Sequence, residues 1–434
     1  MSREIVYDLT EVLLASTGKL RYYGIVRVVA EVGRELAKAA PHVRYCIHSP
    51  AFDQFFEVKP IVQDDGSVDL AVPTGFRQLR IRKHFPAPNR LRDLLVPYVR
   101  AVAFAYNRQL WRRQGIGLPP IDMNGKVYIS CSRPKLIVDA IDTLKRKVRD
   151  WQTVPLLYDM IPLHDYFNHR QKDFPTNFIS DNSYIIENSA LLLAISEFTK
   201  NEIADFARKG HLPPPPATVA IPLVHECPEG DEPRRETPPD EPYFLTVGAA
   251  TGRKNLEALF EAMLLLHEAG KPVPVVCLAG ALRKRTRECF EGERFKAILD
   301  RITVRESPNQ GDLVELYRNA LALVIPSRME GWGLPAGEAL WLGTPAICSN
   351  APVFREVCGD LGLYFDPDRP GELAALLERL IGDREFSESL RFRIKAARPR
   401  LRRWSDVASD MLSVVASAFS SETGSQERMN RMAP

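Results

Sequence analysis

Two carboxylates, Glu330 and Glu338, stand eight positions apart around Gly331, Trp332, Gly333, Leu334 and Pro335. Ionised carboxylates only accept hydrogen bonds, which suits them to vicinal hydroxyls. The glycines between them permit a tight turn and a close approach of backbone to a ligand. A second cluster, Gly248-Ala-Ala-Thr-Gly-Arg-Lys-Asn255, brings Arg253 and Lys254 together. A guanidinium that binds as a fork and a compact ammonium suit a diphosphate. In the N-terminal half the candidates are Tyr158 and Asp159 of Tyr-Asp-Met-Ile-Pro, then His164, Ser196, Gly24 and Arg27. Each has a plainer reading as well. Ser196 suits a helix cap, His164 a structural aromatic cluster, and Arg27 a solvated helix face.

These residues need elements to position them. Residues 320–325 form a short apolar run of the kind expected of a buried parallel strand, ended by Pro326 and Ser327. Pro335 fits the first turn of a helix that Gly343 closes. A strand, a glycine turn and a helix N-terminus at the carboxyl edge of a parallel sheet attract a phosphate. The cluster at 248–255 repeats the arrangement, between a strand at 243–247 and a helix at 255–269. Further strands are predicted at 4–8, 43–47, 126–131, 155–158, 190–195, 218–223, 273–278, 302–305, 346–349 and 363–365. Helices are expected from Gly24 to 36 and at 134–148, 284–299, 313–320, 369–381 and 404–419. Thr199-Lys-Asn-Glu202 matches a capping box that opens a helix reaching 209. Asp366-Pro-Asp368 reads as a turn with an N-cap at Asp368, not as a metal site. Residues 50–75 carry no clear pattern. The alternation of strands and helices implies an α/β protein with doubly wound parallel sheets.

The predicted organisation is a first domain over 1–225, a Pro-rich linker at 226–241 and a second domain over 242–403. A helix at 404–420 and a polar, disordered tail at 421–434 complete it. The 434 residues suffice for two or three cores, and 45% hydrophobic with 26% charged residues is ordinary for a globular protein. No apolar run is long enough to predict a transmembrane helix. Seven scattered cysteines, none in a C-x-x-C pair, argue for reduced thiols in the cytoplasm. The net charge of +3 hides an asymmetry: residues 77–113 hold ten Lys/Arg against Asp93 alone. Large apolar residues interleave with these arginines. An amphipathic helix here suits an anionic membrane surface, each basic residue contributing roughly 1 kcal/mol. The plainer reading is a solvated basic face. No nucleic-acid motif accompanies the charge, and the rest of the chain is net acidic.

The pair Glu330 and Glu338 around Gly-Trp-Gly-Leu-Pro resembles the E-x7-E signature of retaining GT-B glycosyltransferases, most closely glycosyltransferase family 4. The resemblance implies two Rossmann-like, doubly wound parallel-sheet domains facing a cleft, with the final helix returning to the first. It implies a nucleotide-sugar donor as substrate, no metal or other cofactor, and a growing, lipid-linked glycan as acceptor. Arg253 and Lys254 would grip the donor pyrophosphate, Glu338 the ribose hydroxyls and Glu330 the transferred sugar. Gly331, Trp332, Gly333, Leu334 and Gly248 would complete the donor site. Glu330 is alternatively a nucleophile, though the family is thought to favour front-face attack. Tyr158 stands where many members have a histidine, and His164 is a substitute for it. Gly24, Arg27 and Ser196 match acceptor-side positions. The overall pattern is most similar to bacterial polysaccharide and O-antigen enzymes, many of them mannosyltransferases, so GDP-mannose is the leading donor. An epimerase or hydrolase on the same fold, or a non-catalytic scaffold at the membrane, are the alternatives.

Overall fold

The computed structural model describes residues 3–15, 24–50, 52–74, 89–169, 177–228, 239, 241–248, 252–281 and 284–420. The polar tail, residues 77–88 of the basic segment, residues 249–251 and most of the predicted linker lie outside the described residues. The chain divides into two compact units, 1–221 with 404–434, and 222–403.

The strands of the first unit are β1 (Glu4–Asp8), β2 (Arg44–Ser49), β3 (Gln54–Val58), β4 (Ile61–Val62), β5 (Val68–Asp69), β6 (Lys126–Ser130), β7 (Trp151–Leu157), β8 (Leu192–Ala194) and β9 (Thr218–Ala220). β4 and β5 pair as a small hairpin. The others form one sheet in the order β3-β2-β1-β6-β7-β8-β9, parallel except for the antiparallel edge strand β3. The unpatterned stretch 50–75 is therefore sheet edge and hairpin, too short in each strand to show a period. Helix Ile25–Ala39 buries Val26, Val29, Val32 and Leu36, one face at helical spacing. Against it packs the last helix, Trp404–Ser420, through Trp404, Val407, Ala408, Met411 and Val415. The end of the chain thus belongs to the first unit.

In the second unit the strands are β10 (Tyr243–Val247), β11 (Val275–Ala279), β12 (Ile302–Arg305), β13 (Ala322–Ile325), β14 (Ala346–Ser349) and β15 (Leu363–Phe365). They form an all-parallel sheet in the order β12-β11-β10-β13-β14-β15. This is the doubly wound order in which the winding reverses between two adjacent central strands, here β10 and β13. Their carboxyl ends open the crevice where such sheets hold ligands. Every residue of β11, β13 and β14 is buried, as helices on both faces require.

Several expected boundaries move. The first domain was expected to run to 225, but residues 222–228 belong to the second unit. The N–H groups of His225 and Glu226 both donate to the Arg402 carbonyl at 3.0 and 3.2 Å, and Arg402 Nε donates to the Pro222 carbonyl. The capping box at Thr199 does not open its helix. The helix is Glu197–Arg208, and Ser196 Oγ caps it by accepting from the Thr199 N–H at 2.9 Å. The predicted helix 284–299 is broken at Gly292 into Lys284–Phe290 and a 3-10 stretch, Glu293–Arg301. Asp368 is not an N-cap. Arg369 holds that position before helix Pro370–Gly382, and Asp368 pairs with Arg328 at 2.6 Å. Among the described residues, no group of three or more His, Cys, Asp or Glu could hold a metal, and no helix is long and apolar enough to cross a membrane.

Candidate active site

The two loops with chemistry to offer leave β10 and β13, which are hydrogen-bonded neighbours. Arg253 and Lys254 sit on a single 3-10 turn, Gly252–Lys254, followed by Asn255 in the left-handed conformation at φ 52°. The loops are tied together by backbone, the Arg328 N–H donating to the Arg253 carbonyl at 2.8 Å. Arg253 then donates to the Met329 carbonyl at 3.2 Å and to Glu330 at 3.0 Å, while Lys254 Nζ lies 2.7 Å from the other Glu330 oxygen. Burial pushes the Glu330 carboxyl up, but Lys254 and Arg253 outweigh it and hold the group below the ordinary glutamate value. Glu330 is thus a buried, ionised acceptor flanked by two partly exposed cations.

Beyond Glu330 the chain turns at Gly333, whose φ of 95° admits few other residues. A Cβ there would also stand 2.7 Å from the Phe354 ring. The turn opens helix Leu334–Trp341, with Pro335 in its first turn and its free N–H groups at the carboxyl edge of the sheet. Glu338, one turn in, is buried and accepts from the Tyr317 hydroxyl at 2.9 Å. Gly337 lets this helix lie against the 222–226 segment, since a Cβ would meet the Val224 carbonyl at 2.8 Å.

The geometry therefore gathers Glu330, Arg253 and Lys254 in direct contact, with Gly248 beside them: a Cβ on it would lie 4.0 Å from Lys254 Nζ. Gly331, Gly333, Leu334 and Glu338 follow along the same turn and helix. The Trp332 side chain packs inward. Its indole is buried and donates to the Val224 carbonyl at 3.1 Å, with its ring edge-on to His225. His225 is fixed at both ring nitrogens, Nε2 to the Val357 carbonyl at 2.7 Å and Nδ1 accepting from the Arg402 N–H. Burial lowers its pKa, against the pull of that carbonyl.

The first-unit candidates serve the fold more than an open site. The Tyr158 hydroxyl donates to the Cys131 carbonyl at 2.5 Å, and burial pushes the phenol up. Asp159 accepts the Ile161 N–H at 3.1 Å, starting helix Ile161–His169. His164 pairs with Glu202 and stands edge-on to Phe206. Arg27 is buried over the Trp404 ring, neither a solvated face nor an open contact. Gly24 is the N-cap of the helix that carries Arg27, at φ 57°. What sequence reasoning missed sits where the order of this sheet reverses, between β1 and β6. Asp8 accepts from Ser130 at 2.7 Å and Ser132 at 2.9 Å, and Arg133 forks onto fully buried Glu11. Burial raises the Asp8 carboxyl against these hydrogen bonds. Tyr317 was missed too. No motif marks a hydroxyl 21 positions upstream of Glu338.

The two parallel-sheet units have the fold of GT-B proteins, and the second carries the cluster of Glu330, Arg253 and Lys254 at the carboxyl edge of its sheet. Residues 229–398, most of the second unit, match the family described as Glycosyl transferases group 1. The chain is 33% identical over 128 residues to the O-antigen chain mannosyltransferase RfbU of Salmonella typhimurium, covering 30% of this chain and 35% of that one. It is 32% identical over 154 residues to O-antigen chain mannosyltransferase B of Escherichia coli, covering 34% and 38%. The chain thus spans little more than a third of the length of either relative. Among solved structures, sucrose-phosphate synthase from Thermosynechococcus elongatus superposes with a TM-score of 0.64 at 20% identity, over 96% of this chain and 98% of that one. A UDP-forming α,α-trehalose-phosphate synthase from Burkholderia xenovorans gives 0.55 at 13% identity, over 76% and 80%. At those identities the likeness is one of fold.

Proposed function

We propose that this protein is a retaining hexosyltransferase that moves a sugar, with mannose from GDP-mannose the leading case, onto a growing, lipid-linked bacterial surface glycan. The observation that carries the reading is Glu330 held between Arg253 and Lys254 at the mouth of β10 and β13. The mannosyltransferase relatives support the choice of sugar and of acceptor class. In the proposed reaction the bond from the anomeric carbon to the donor phosphate breaks while the acceptor oxygen bonds to that carbon on the same face. The departing phosphate oxygen takes the acceptor's proton. Arg253, Lys254 and the helix N–H groups stabilise the charge growing on the diphosphate, so no metal is required. Glu338 takes the ribose hydroxyls and Glu330 those of the sugar. The enzyme works in the cytoplasm, peripheral on the inner face of the membrane, with residues 77–113 as its contact.

Calorimetric titration with nucleoside diphosphates and nucleotide sugars, in chelator, tests the reading. Binding of a guanine nucleotide in preference to uridine, followed by an α-linked product from an α-linked donor, is the expected result. An inverted product, or no nucleotide binding at all, refutes it.

A further inference from the structure

Helix Arg90–Arg113 is apolar on two opposite sides. One side is buried: Ala103, Asn107 and Trp111 face the first unit, with the Trp111 and Phe104 rings 4.6 and 5.2 Å from Phe52. On the other side Leu91, Leu94, Leu95, Tyr98, Val102 and Tyr106 recur every three or four residues and are exposed. Leu91, Tyr98 and Val102 keep 74%, 70% and 71% of their surface open, where a water-facing helix would carry charge. Arg90, Arg92, Arg108 and Arg112 border this stripe, and Asp93 is the helix's one acid.

We infer that this face docks onto an anionic lipid bilayer, the helix lying in the headgroup plane. Leu91, Leu95, Tyr98 and Val102 enter the acyl boundary, and the bordering arginines meet lipid phosphates. Charge selects lipid over a second copy of this chain. Two such faces brought together would set arginine rows against each other. The inference names the contact residues within the membrane reading proposed above, and it rests on that reading.

The test is co-sedimentation of the full chain with vesicles of phosphatidylglycerol and phosphatidylcholine, and with phosphatidylcholine alone. Binding to the anionic vesicles alone, weakened by salt, is expected. Leu95→Ser with Val102→Ser should lower the partition about a hundredfold, while circular dichroism and thermal unfolding of the variant stay at the wild-type values and vouch for the fold of the first unit, and nucleoside diphosphate titration is unchanged. Equal vesicle binding by variant and wild type overturns the inference. So does a wild-type dimer in light scattering that the variant dissociates, which would make the face a subunit contact. Failure of the transferase reading would instead appear as absent nucleotide binding with vesicle binding intact.

Discussion

Replacing Glu330 by Gln separates two roles that the site puts in contact. The substitution keeps the shape and removes the charge that holds Arg253 at 3.0 Å and Lys254 at 2.7 Å. A charge-assisted hydrogen bond contributes about 1.5–3 kcal/mol when shielded. Here the cations are 40% and 25% exposed, so solvent screening reduces the figure to about 1 kcal/mol. Once Glu330 no longer competes, that energy is available to a bound diphosphate, which should bind about fivefold more tightly. Sugar transfer should move the other way. Loss of one group that holds the transition state typically costs about 10²–10³-fold in kcat. The assay pairs calorimetric titration of the nucleoside diphosphate with initial rates of transfer on the same preparation. Diphosphate binding that weakens in parallel with the rate would show that Glu330 merely props up the cations. A rate within about threefold of wild type would remove it from the chemistry altogether.

Tyr317→Phe takes away the hydroxyl that holds Glu338, so donor KM should rise by about tenfold or less with kcat little changed, as steady-state rates against donor concentration would show. Trp332→Phe should act on stability instead. Losing the hydrogen bond to Val224 leaves a buried carbonyl unmatched and costs about 1–2 kcal/mol in denaturant unfolding, with donor KM unchanged. Acid should destabilise the second unit in two stages. The folded pKa of His225 lies below its unfolded value, so its contribution is complete above about pH 6.5 and declines as pH falls toward the folded value. The depressed Glu330 carboxyl adds a loss of the same sign below about pH 4.3. Melting temperature against pH, compared with His225→Asn, isolates the first stage: the variant should lose that part of the slope.

Much of this was legible in sequence because local physics marked it. β13, its glycine turn and the proline-started helix are contiguous, so apolar run, positive-φ glycine and N1 proline announce one another without help from the rest of the chain. Arg253 and Lys254 were legible for the same reason, lying just beyond a strand. The short edge strands at 54–69 were not, since two to five residues hold too little periodicity. Ser196 was legible as a helix cap, but the capping-box pattern three residues later drew the helix start to Thr199, while the fold uses the serine and leaves Thr199 to donate its N–H.

Sequence alone determined which side chains carry charge and which turns need glycine, and so marked Arg253, Lys254, Glu330 and Glu338 as candidates. Tertiary structure decided which of them meet. Arg253 and Glu330 lie 77 positions apart and touch only because β10 and β13 are neighbours where the winding of the sheet reverses. Trp332, three positions from Pro335 in the same motif, is turned into the core by a backbone carbonyl more than a hundred residues away. Hydrogen bonding of a buried polar group is settled by whatever the fold brings within 3 Å, and no local pattern records that.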